Sequence, residues 1–262
     1  MRARRGMLAA LLTGAAIAGC TEVSTDPQVP LSLQFDSLPA LAVVVGDTMR
    51  GGDLLPARVP VRVFNGSGGA VSDSAIKLIG IDSGSVKSFT LLGGLRLLGK
   101  AENASVHIVA QAGSLQSQTQ TFAVVPRPTT LGIGSTETDS VIYDAPDTST
   151  RYRDVKVTIF RKAAPESTAV FLNGLRVRLR VAAFTDSILD SVRLVASGNG
   201  KDATSALISS GVASLRLKVY KKSTARPLAP GIVTVEASHK AFGTEIPGSP
   251  FRFTVKLVPF RL

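Results

Sequence analysis

The sequence predicts an all-β protein built from two tandem β-sandwiches, and three observations support this prediction. Apolar and polar residues alternate in several runs, such as "LRVRLRV" and "FRFTVKL", which is the two-residue period of a strand with one covered face. Clusters rich in Gly and Pro, such as "SGNG" and "ARPLAPG", separate the runs. No stretch keeps the 3.6-residue period of an amphipathic helix. Two antiparallel sheets packed face to face bury such faces most simply.

The first element, residues 1–19, is predicted to be a secretory signal peptide. Three arginines precede an uncharged apolar stretch, Met7–Ala18, which ends in small residues. About a dozen apolar residues are too few to cross a hydrocarbon core of ~30 Å. We therefore expect this segment to direct export and to take no part in the folded protein.

Cys20, the only cysteine of the 262 residues, directly follows Ile17, Ala18 and Gly19. These four residues resemble the lipobox of bacterial lipoproteins, in which an aliphatic residue and two small ones precede the acylated cysteine. The resemblance implies cleavage between Gly19 and Cys20 and a covalent lipid on Cys20. Thr21 in place of Asp implies retention at the outer membrane in a Gram-negative cell. The alternative is an ordinary secretory signal followed by an incidental cysteine.

The mature chain is predicted to consist of a tether and two domains. Residues 20–30 hold the lipidated cysteine and a polar, Pro-containing segment without periodicity, which is typical of a flexible tether. The remaining length allows two domains of ordinary size. The apolar alternation stops at two prolines in "VVPRPTTL". We therefore predict one domain over residues 31–128 and a second over residues 129–262.

The net charge divides at the same boundary. Residues 20–129 contain 8 basic and 8 acidic side chains, whereas residues 130–262 contain 19 basic and 11 acidic side chains, a net charge of +8. An electrostatic partner is therefore expected to bind the second domain.

Both domains carry stretches similar to immunoglobulin-like repeats. Over residues 31–126, the order "VVVGD", "IDSGSV", "GGLRLLGKAENASVHIVAQAG" and "TFAVV" resembles the bacterial immunoglobulin-like repeats of surface proteins. In the second domain, "GTEIPGSPFRFTV" is similar to the last hairpin of filamin-type immunoglobulin repeats. These resemblances imply two immunoglobulin-like sandwiches that lack the disulfide and the buried Trp of antibody domains.

Motifs for enzymatic chemistry are incomplete, so we expect no catalytic residue and no cofactor. The run "GLRLLGKA", residues 94–101, has the Gly and Lys spacing of a phosphate-binding loop, but Ala101 offers no hydroxyl to Mg²⁺ and a strand-like run follows. We predict a structural hairpin there. No serine lies in a Gly-x-Ser-x-Gly elbow.

Residues that could hold a metal ion are scattered. His107 is predicted on the outward face of a strand and His239 in a turn, both exposed and neither with a second ligand at metal spacing. Five acidic side chains lie between residues 137 and 154, where Ca²⁺ binding stays open. Because the spacing of a calcium loop is absent, a solvated interdomain loop is preferred.

One candidate binding surface remains. Arg176, Arg178 and Arg180 alternate with apolar residues and are predicted to project from one face of a strand. Arg216 and Lys218 follow the same pattern on a run expected to lie beside it in an immunoglobulin-like topology. These five side chains are a possible anion-binding face; the alternative is ordinary solvated surface on which long cationic chains cover apolar area.

Three classes of function follow, in order of preference. The first is a lipid-anchored, non-enzymatic spacer, adhesion or interaction module of the cell envelope, with a protein partner. The second is a binder of an anionic envelope polymer, such as lipopolysaccharide or extracellular nucleic acid, or of another polyanion, through the basic face. An anionic polysaccharide is one such partner, whereas nucleic acid inside the cell is not expected. An enzyme is third, because no complete catalytic motif is present.

Overall fold

The computed structural model describes residues 29–71, 76–80, 84–91, 94–133, 140–148, 151–162, 170–223 and 230–260. The predicted signal peptide, the cleavage position Gly19 and the lipidated Cys20 lie outside these residues. No helix within the described ranges is long and apolar enough to cross a membrane.

The first half of the chain forms ten strands within the described residues. They are β1 (Pro30–Phe35), β2 (Ala42–Val44), β3 (Val61–Asn65), β4 (Ala70–Val71), β5 (Ile76–Gly80), β6 (Val86–Leu91), β7 (Gly94–Gly99), β8 (Asn103–Ala112), β9 (Leu115–Gln116) and β10 (Gln120–Val125). One sheet has the order β1-β3-β4, a second has the order β2-β10-β8-β5 with β9 beside β8, and β6 pairs with β7 as a hairpin. Strand β2 runs parallel to β10.

The second half forms twelve strands within the described residues. They are β11 (Thr130–Ile133), β12 (Ser140–Ile142), β13 (Tyr152–Arg161), β14 (Val170–Phe171), β15 (Arg176–Phe184), β16 (Leu189–Val195), β17 (Ser205–Leu207), β18 (Ala213–Lys221), β19 (Gly231–Ser238), β20 (Lys240–Ala241), β21 (Thr244–Glu245) and β22 (Phe251–Val258).

Two five-stranded sheets make up most of this second half. One has the order β11-β13-β18-β16 with β14 beside β13, and the other has the order β12-β22-β19-β15-β17. The apolar residues predicted to alternate are buried, among them Val177 and Leu179 of β15 and Leu215 and Leu217 of β18, and all four belong to one hydrophobic cluster. The two sheets therefore pack face to face, with their polar faces outward.

The predicted all-β, immunoglobulin-like fold class is confirmed. Each strand pairing within the described residues joins strands of the same half, either 30–125 or 130–258. The hydrophobic cores do not divide as cleanly, because Ala42 and Val44 of β2 belong to the cluster formed by the second half. The domain boundary near Pro128 stays a prediction.

Candidate functional site

The five cations predicted to share one face lie on two different sheets. Strand β15, with Arg176, Arg178 and Arg180, pairs with β17 and β19. Strand β18, with Arg216 and Lys218, pairs with β13 and β16 in the other sheet. The predicted adjacency is therefore wrong. Two runs with the same alternation turn their apolar sides toward one core from opposite layers, so their cations point away from each other.

The first cationic surface is the outer face of β15, β19 and β22, which we call the Glu236 face. Arg180, Glu236 and Arg252 are in register across the three strands. Arg180 Nε donates to Glu236 Oε1 at 2.6 Å, and Arg252 Nε donates to Oε2 at 2.8 Å. The hydrogen bond from Arg180 is the main cause that holds the pKa of Glu236 below its usual range. One carboxylate thus engages two of the guanidinium groups.

Arg176 is engaged as well, although on a different partner. Its Nε donates to the Pro39 carbonyl oxygen, and its Nη1 donates to Ser205 Oγ at 3.3 Å. Burial lowers the pKa of this half-buried guanidinium. Pro39 belongs to the first half of the chain, so Arg176 connects the two halves. Arg178, by contrast, is exposed.

The second cationic surface is the outer face of β13, β18 and β16, which we call the tyrosine face. Its members are Tyr152, Arg193, Arg216, Lys218 and Tyr220. Lys218 lies directly opposite Tyr152 on one side and Arg193 on the other. Arg216 and Tyr220 lie two residues before and after Lys218, so all five side chains share one face.

Each arginine of the tyrosine face is held over an aromatic ring. The Arg216 guanidinium carbon lies 3.9 Å from the centre of the Tyr152 ring, and that of Arg193 lies 5.7 Å from the centre of the Tyr220 ring. Their carboxylate contacts are long, at 3.4 Å from Arg216 to Asp154 and 3.8 Å from Arg193 to Asp202. The rings therefore do much of the positioning of these two cations.

The junction between the two halves contains a buried ion pair that the sequence analysis missed. Arg50 Nε donates to Asp47 Oδ2 at 2.8 Å, and Arg50 Nη2 donates to Oδ1 at 2.9 Å. Asp47 Oδ2 also accepts the backbone N–H of Phe242, from the second half, at 2.8 Å. Both side chains of the pair are more than nine-tenths buried, so the junction is closed to solvent at this point.

His239 is buried beside this pair, and the prediction of an exposed histidine is wrong. Its side chain is 2 % exposed because the turn after β19 packs against the first half. Nδ1 donates to the Arg176 carbonyl oxygen at 2.7 Å, while Nε2 has no hydrogen-bond partner within the described residues. Burial is the main cause that lowers the pKa of His239 to about 4, so the ring is neutral at pH 7.

Backbone contacts and shared apolar packing complete the junction. Leu41 N–H donates to the Gly174 carbonyl oxygen at 3.0 Å. Ala42 and Val44 pack into the cluster of the second half, while Val43 packs into that of the first. A cavity lined by Asp47, Arg50 and Arg176, among others, measures about 10 Å³, which is room for one water molecule and not for an organic substrate.

A signal for this junction was present in the sequence, in the run "LAVVVGD". Strand β2 is buried on both faces, and strands of this kind show continuous apolar residues and no alternation. The run predicts a strand, but it does not show which second surface covers it. Asp47, Arg50 and His239 gave no comparable pattern.

Gly174→Ala is expected to lower the free energy of unfolding by more than about 1 kcal/mol. Gly174 has a φ of +80°, and a Cβ there would lie 2.7 Å from the carbonyl carbon of Leu41. Gly243→Ala is a matched control, since its φ is +79° but nothing lies within 4 Å of the added Cβ. Urea unfolding of both variants measures the cost of the clash as the difference between them. Equal losses would contradict a close junction at Leu41.

The run that resembles a phosphate-binding loop and the histidine His107 both lie on strands. Residues 94–99 form the second strand of the β6–β7 hairpin, which confirms the structural hairpin in place of a phosphate loop. His107 lies on the half-exposed face of β8.

Two of the five clustered acids, Glu137 and Asp139, lie outside the described residues. Asp144 accepts the Phe260 N–H at 2.6 Å, and Asp154 contacts Arg216. Within the described residues, no three His, Cys, Asp or Glu side chains come together as a metal site.

Comparison with known proteins shows similarity of fold at low sequence identity. No family model and no curated protein sequence matches the chain. Domains 4–9 of the surface layer protein SbsC are 13 % identical with a TM-score of 0.30, covering 89 % of this chain and 32 % of that one. The Yersinia pseudotuberculosis adhesin InvE is 10 % identical with a TM-score of 0.33, covering 88 % and 58 %.

A β-glucuronidase of glycoside hydrolase family 2 is also similar, with 14 % identity and a TM-score of 0.32 over 90 % of this chain and 21 % of that one. The chain thus spans less than two thirds of each of these three structures. TM-scores of this size are too low to transfer the function of any of them.

Proposed function

We propose that the protein is a lipid-anchored, non-enzymatic module of the cell envelope whose immunoglobulin-like domains act as a surface spacer, adhesion or interaction unit. The observation that supports this most directly is the junction. Asp47, which is buried with Arg50, accepts the backbone N–H of Phe242, and β2 packs into both hydrophobic clusters. Such a connection holds one half against the other, which suits a protein that presents its two halves as one unit at the end of a tether.

The anchor is proposed to be a lipid on Cys20, with localisation at the outer membrane in a Gram-negative cell. The basis is the sequence Ile17-Ala18-Gly19-Cys20 followed by Thr21. Two or three acyl chains, at about 0.8 kcal/mol for each buried CH₂ group, hold a protein on a membrane stably.

Cys20→Ser is expected to release the mature protein from the membrane fraction or to leave an uncleaved precursor. Without the thiol, no thioether to a lipid can form. Fractionation with detergent, followed by gel mobility and mass spectrometry of the N-terminus, measures the result. Thr21→Ser is a control that leaves the cysteine in place and is expected to remain on the membrane. A Cys20→Ser protein that partitions into detergent like wild type and has the same gel mobility would contradict the lipid anchor.

A second candidate function is the binding of an anionic polymer by the second half of the chain. Residues 130–262 carry a net charge of +8, and the structure places cations on both outer faces of this half. Binding through exposed charges weakens as salt screens them, over a distance of ~10 Å at 0.1 M. Salt-sensitive binding of acidic polysaccharide by the full chain therefore supports this function, and its absence at low salt contradicts it.

A further inference from the structure

We propose that the tyrosine face, and not the arginine strand β15, is the surface that binds an acidic polysaccharide. The inference rests on the second candidate function above, and it assigns that function a place and a ligand chemistry. Arg193 and Arg216 would bind carboxylate or sulfate groups of the polymer, with Lys218 between them. Tyr152 and Tyr220 position the two arginines.

The first argument is that most charges of the Glu236 face are already satisfied within the protein. Arg180 and Arg252 both donate to the carboxylate of Glu236, at 2.6 and 2.8 Å. Arg176 is half buried and bound to Pro39 and Ser205. A polymer that drew both Arg180 and Arg252 away from Glu236 would leave that carboxylate, whose side chain is 7 % exposed, without its partners, which is costly for a buried charge.

The second argument is that the charges of the tyrosine face are available. The contacts of Arg216 with Asp154 and of Arg193 with Asp202 are long, and both carboxylates are more than one third exposed. Exposed pairs of this kind contribute about 0–1 kcal/mol. Lys218 has no ion pair with any described residue, so three cations can accept new anionic partners without exposing a buried one.

The third argument is that the guanidinium groups are held in place before any ligand binds. A ring beneath the flat side of an arginine leaves the N–H donors at its edges free for bidentate contact with an anion. The chain has three tyrosines, of which Tyr143 is fully buried and the other two lie on this face. The number of tyrosines in the sequence does not predict this arrangement. Tyr152 reaches the face through the pairing of β13 with β18, which places it opposite Lys218.

The same geometry favours a polysaccharide over a nucleic acid. Single-stranded nucleic acids are bound largely by stacking of bases on open aromatic rings. Here, the Arg216 guanidinium lies 3.9 Å from the centre of the Tyr152 ring and takes the stacking position over that ring. The face therefore offers directed cations on two adjacent strands, Arg193 on β16 and Arg216 and Lys218 on β18, which fits a chain of acidic sugars.

The test measures binding of the full-length, detergent-solubilised protein to heparin, to polygalacturonate and to single-stranded DNA by biolayer interferometry. The key variant is Arg193→Gln with Lys218→Gln. Its matched control is Arg178→Gln with Lys256→Gln, which removes two exposed cations from the Glu236 face. We expect at least about a tenfold loss of affinity for the polysaccharides in the first variant and less than about threefold in the second, since only near charges escape screening.

A second pair of variants tests the role of the rings. Tyr152→Leu with Tyr220→Leu removes both stacking contacts and is expected to weaken polysaccharide binding about threefold to tenfold, whereas Tyr152→Phe with Tyr220→Phe keeps the rings and is expected to stay within about twofold of wild type. Circular dichroism confirms that each variant is folded. Equal behaviour of the Leu and Phe pairs would overturn the positioning role of the tyrosines.

The remaining outcomes separate this inference from the function on which it rests. If wild type binds polysaccharide but the control variant loses as much affinity as the key variant, the tyrosine face is not the binding site. The proposed function of polyanion binding is then still supported. Wild type that binds none of the three polymers at low salt overturns both. Binding of DNA much tighter than binding of either polysaccharide overturns the proposed ligand class.

Discussion

Asp47→Ala is expected to lower the free energy of unfolding by about 3–5 kcal/mol, because it leaves the buried Arg50 guanidinium without its counter-charge. The variant also removes the acceptor for the Phe242 N–H, which joins the second half to the first. The substitution is therefore expected to destabilise both halves. Urea unfolding followed by far-ultraviolet circular dichroism measures it.

Asp36→Ala is a matched control for this substitution. Asp36 pairs with Arg62 at 2.9 Å, but the Arg62 side chain is 63 % exposed, and pairs of this kind contribute about 0–1 kcal/mol. The two variants lose the same side chain and differ in burial of the pair. If Asp47→Ala were no more costly than Asp36→Ala, the junction would not be held by the buried ion pair.

Acidification from pH 7 to about pH 4 is expected to lower the free energy of unfolding by about 3 kcal/mol through His239 alone. Burial is the main cause that lowers the pKa of this histidine from 6.5 to about 4. Below pH 6.5 the unfolded chain takes up a proton at His239, while the folded protein does not until about pH 4. Stability is thus fully present above pH 6.5 and is lost as the pH falls through this window.

His239→Asn isolates this contribution. Its amide nitrogen can replace Nδ1 as donor to the Arg176 carbonyl oxygen, but it does not titrate. The free energy of unfolding of both proteins is measured in urea at intervals between about pH 7.5 and about pH 4. This range spans the histidine pKa values of the unfolded and folded states. Because the carboxylates titrate in both, the difference between the two curves reports the histidine. Parallel curves would mean that His239 is as accessible to protons in the folded protein as in the unfolded chain.

The regular strands of the second half could be predicted from the sequence because their environment is one-sided. In β18, each residue that faces the core is apolar and each outward residue is polar or aromatic, from Ala213 to Tyr220. The period of two therefore carries the information on both strand and face. The same holds for β15 up to Val181, where a bulge interrupts the register with β19.

Strand partners could not be predicted, because alternation does not specify which strand lies beside which. The runs of β15 and β18 have the same pattern, yet they belong to different sheets. Deciding this requires long-range pairings such as Arg180 with Glu236, which are separated by 56 residues. The cations of the candidate surface were thus identified correctly as outward residues but grouped wrongly.

The buried polar residues were missed for a related reason. Asp47 lies next to a glycine in a polar turn, and His239 lies in a short connection between β19 and β20, where sequence indicates exposure. Burial arises only because the two turns meet at the junction. A residue buried by another part of the chain leaves no trace in its own local pattern.

The double burial of β2 has a consequence for how such a chain can be rearranged. Independent tandem domains can be duplicated, shuffled or exchanged because each one has a complete hydrophobic core of its own. Here, Ala42 and Val44 are supplied by one half and enclosed by the other. Transplanting residues 129–262 alone onto another carrier would remove two apolar side chains from their core, and grafting residues 31–128 alone would leave those same side chains facing water. The unit that can be inherited, copied or engineered intact is therefore the pair.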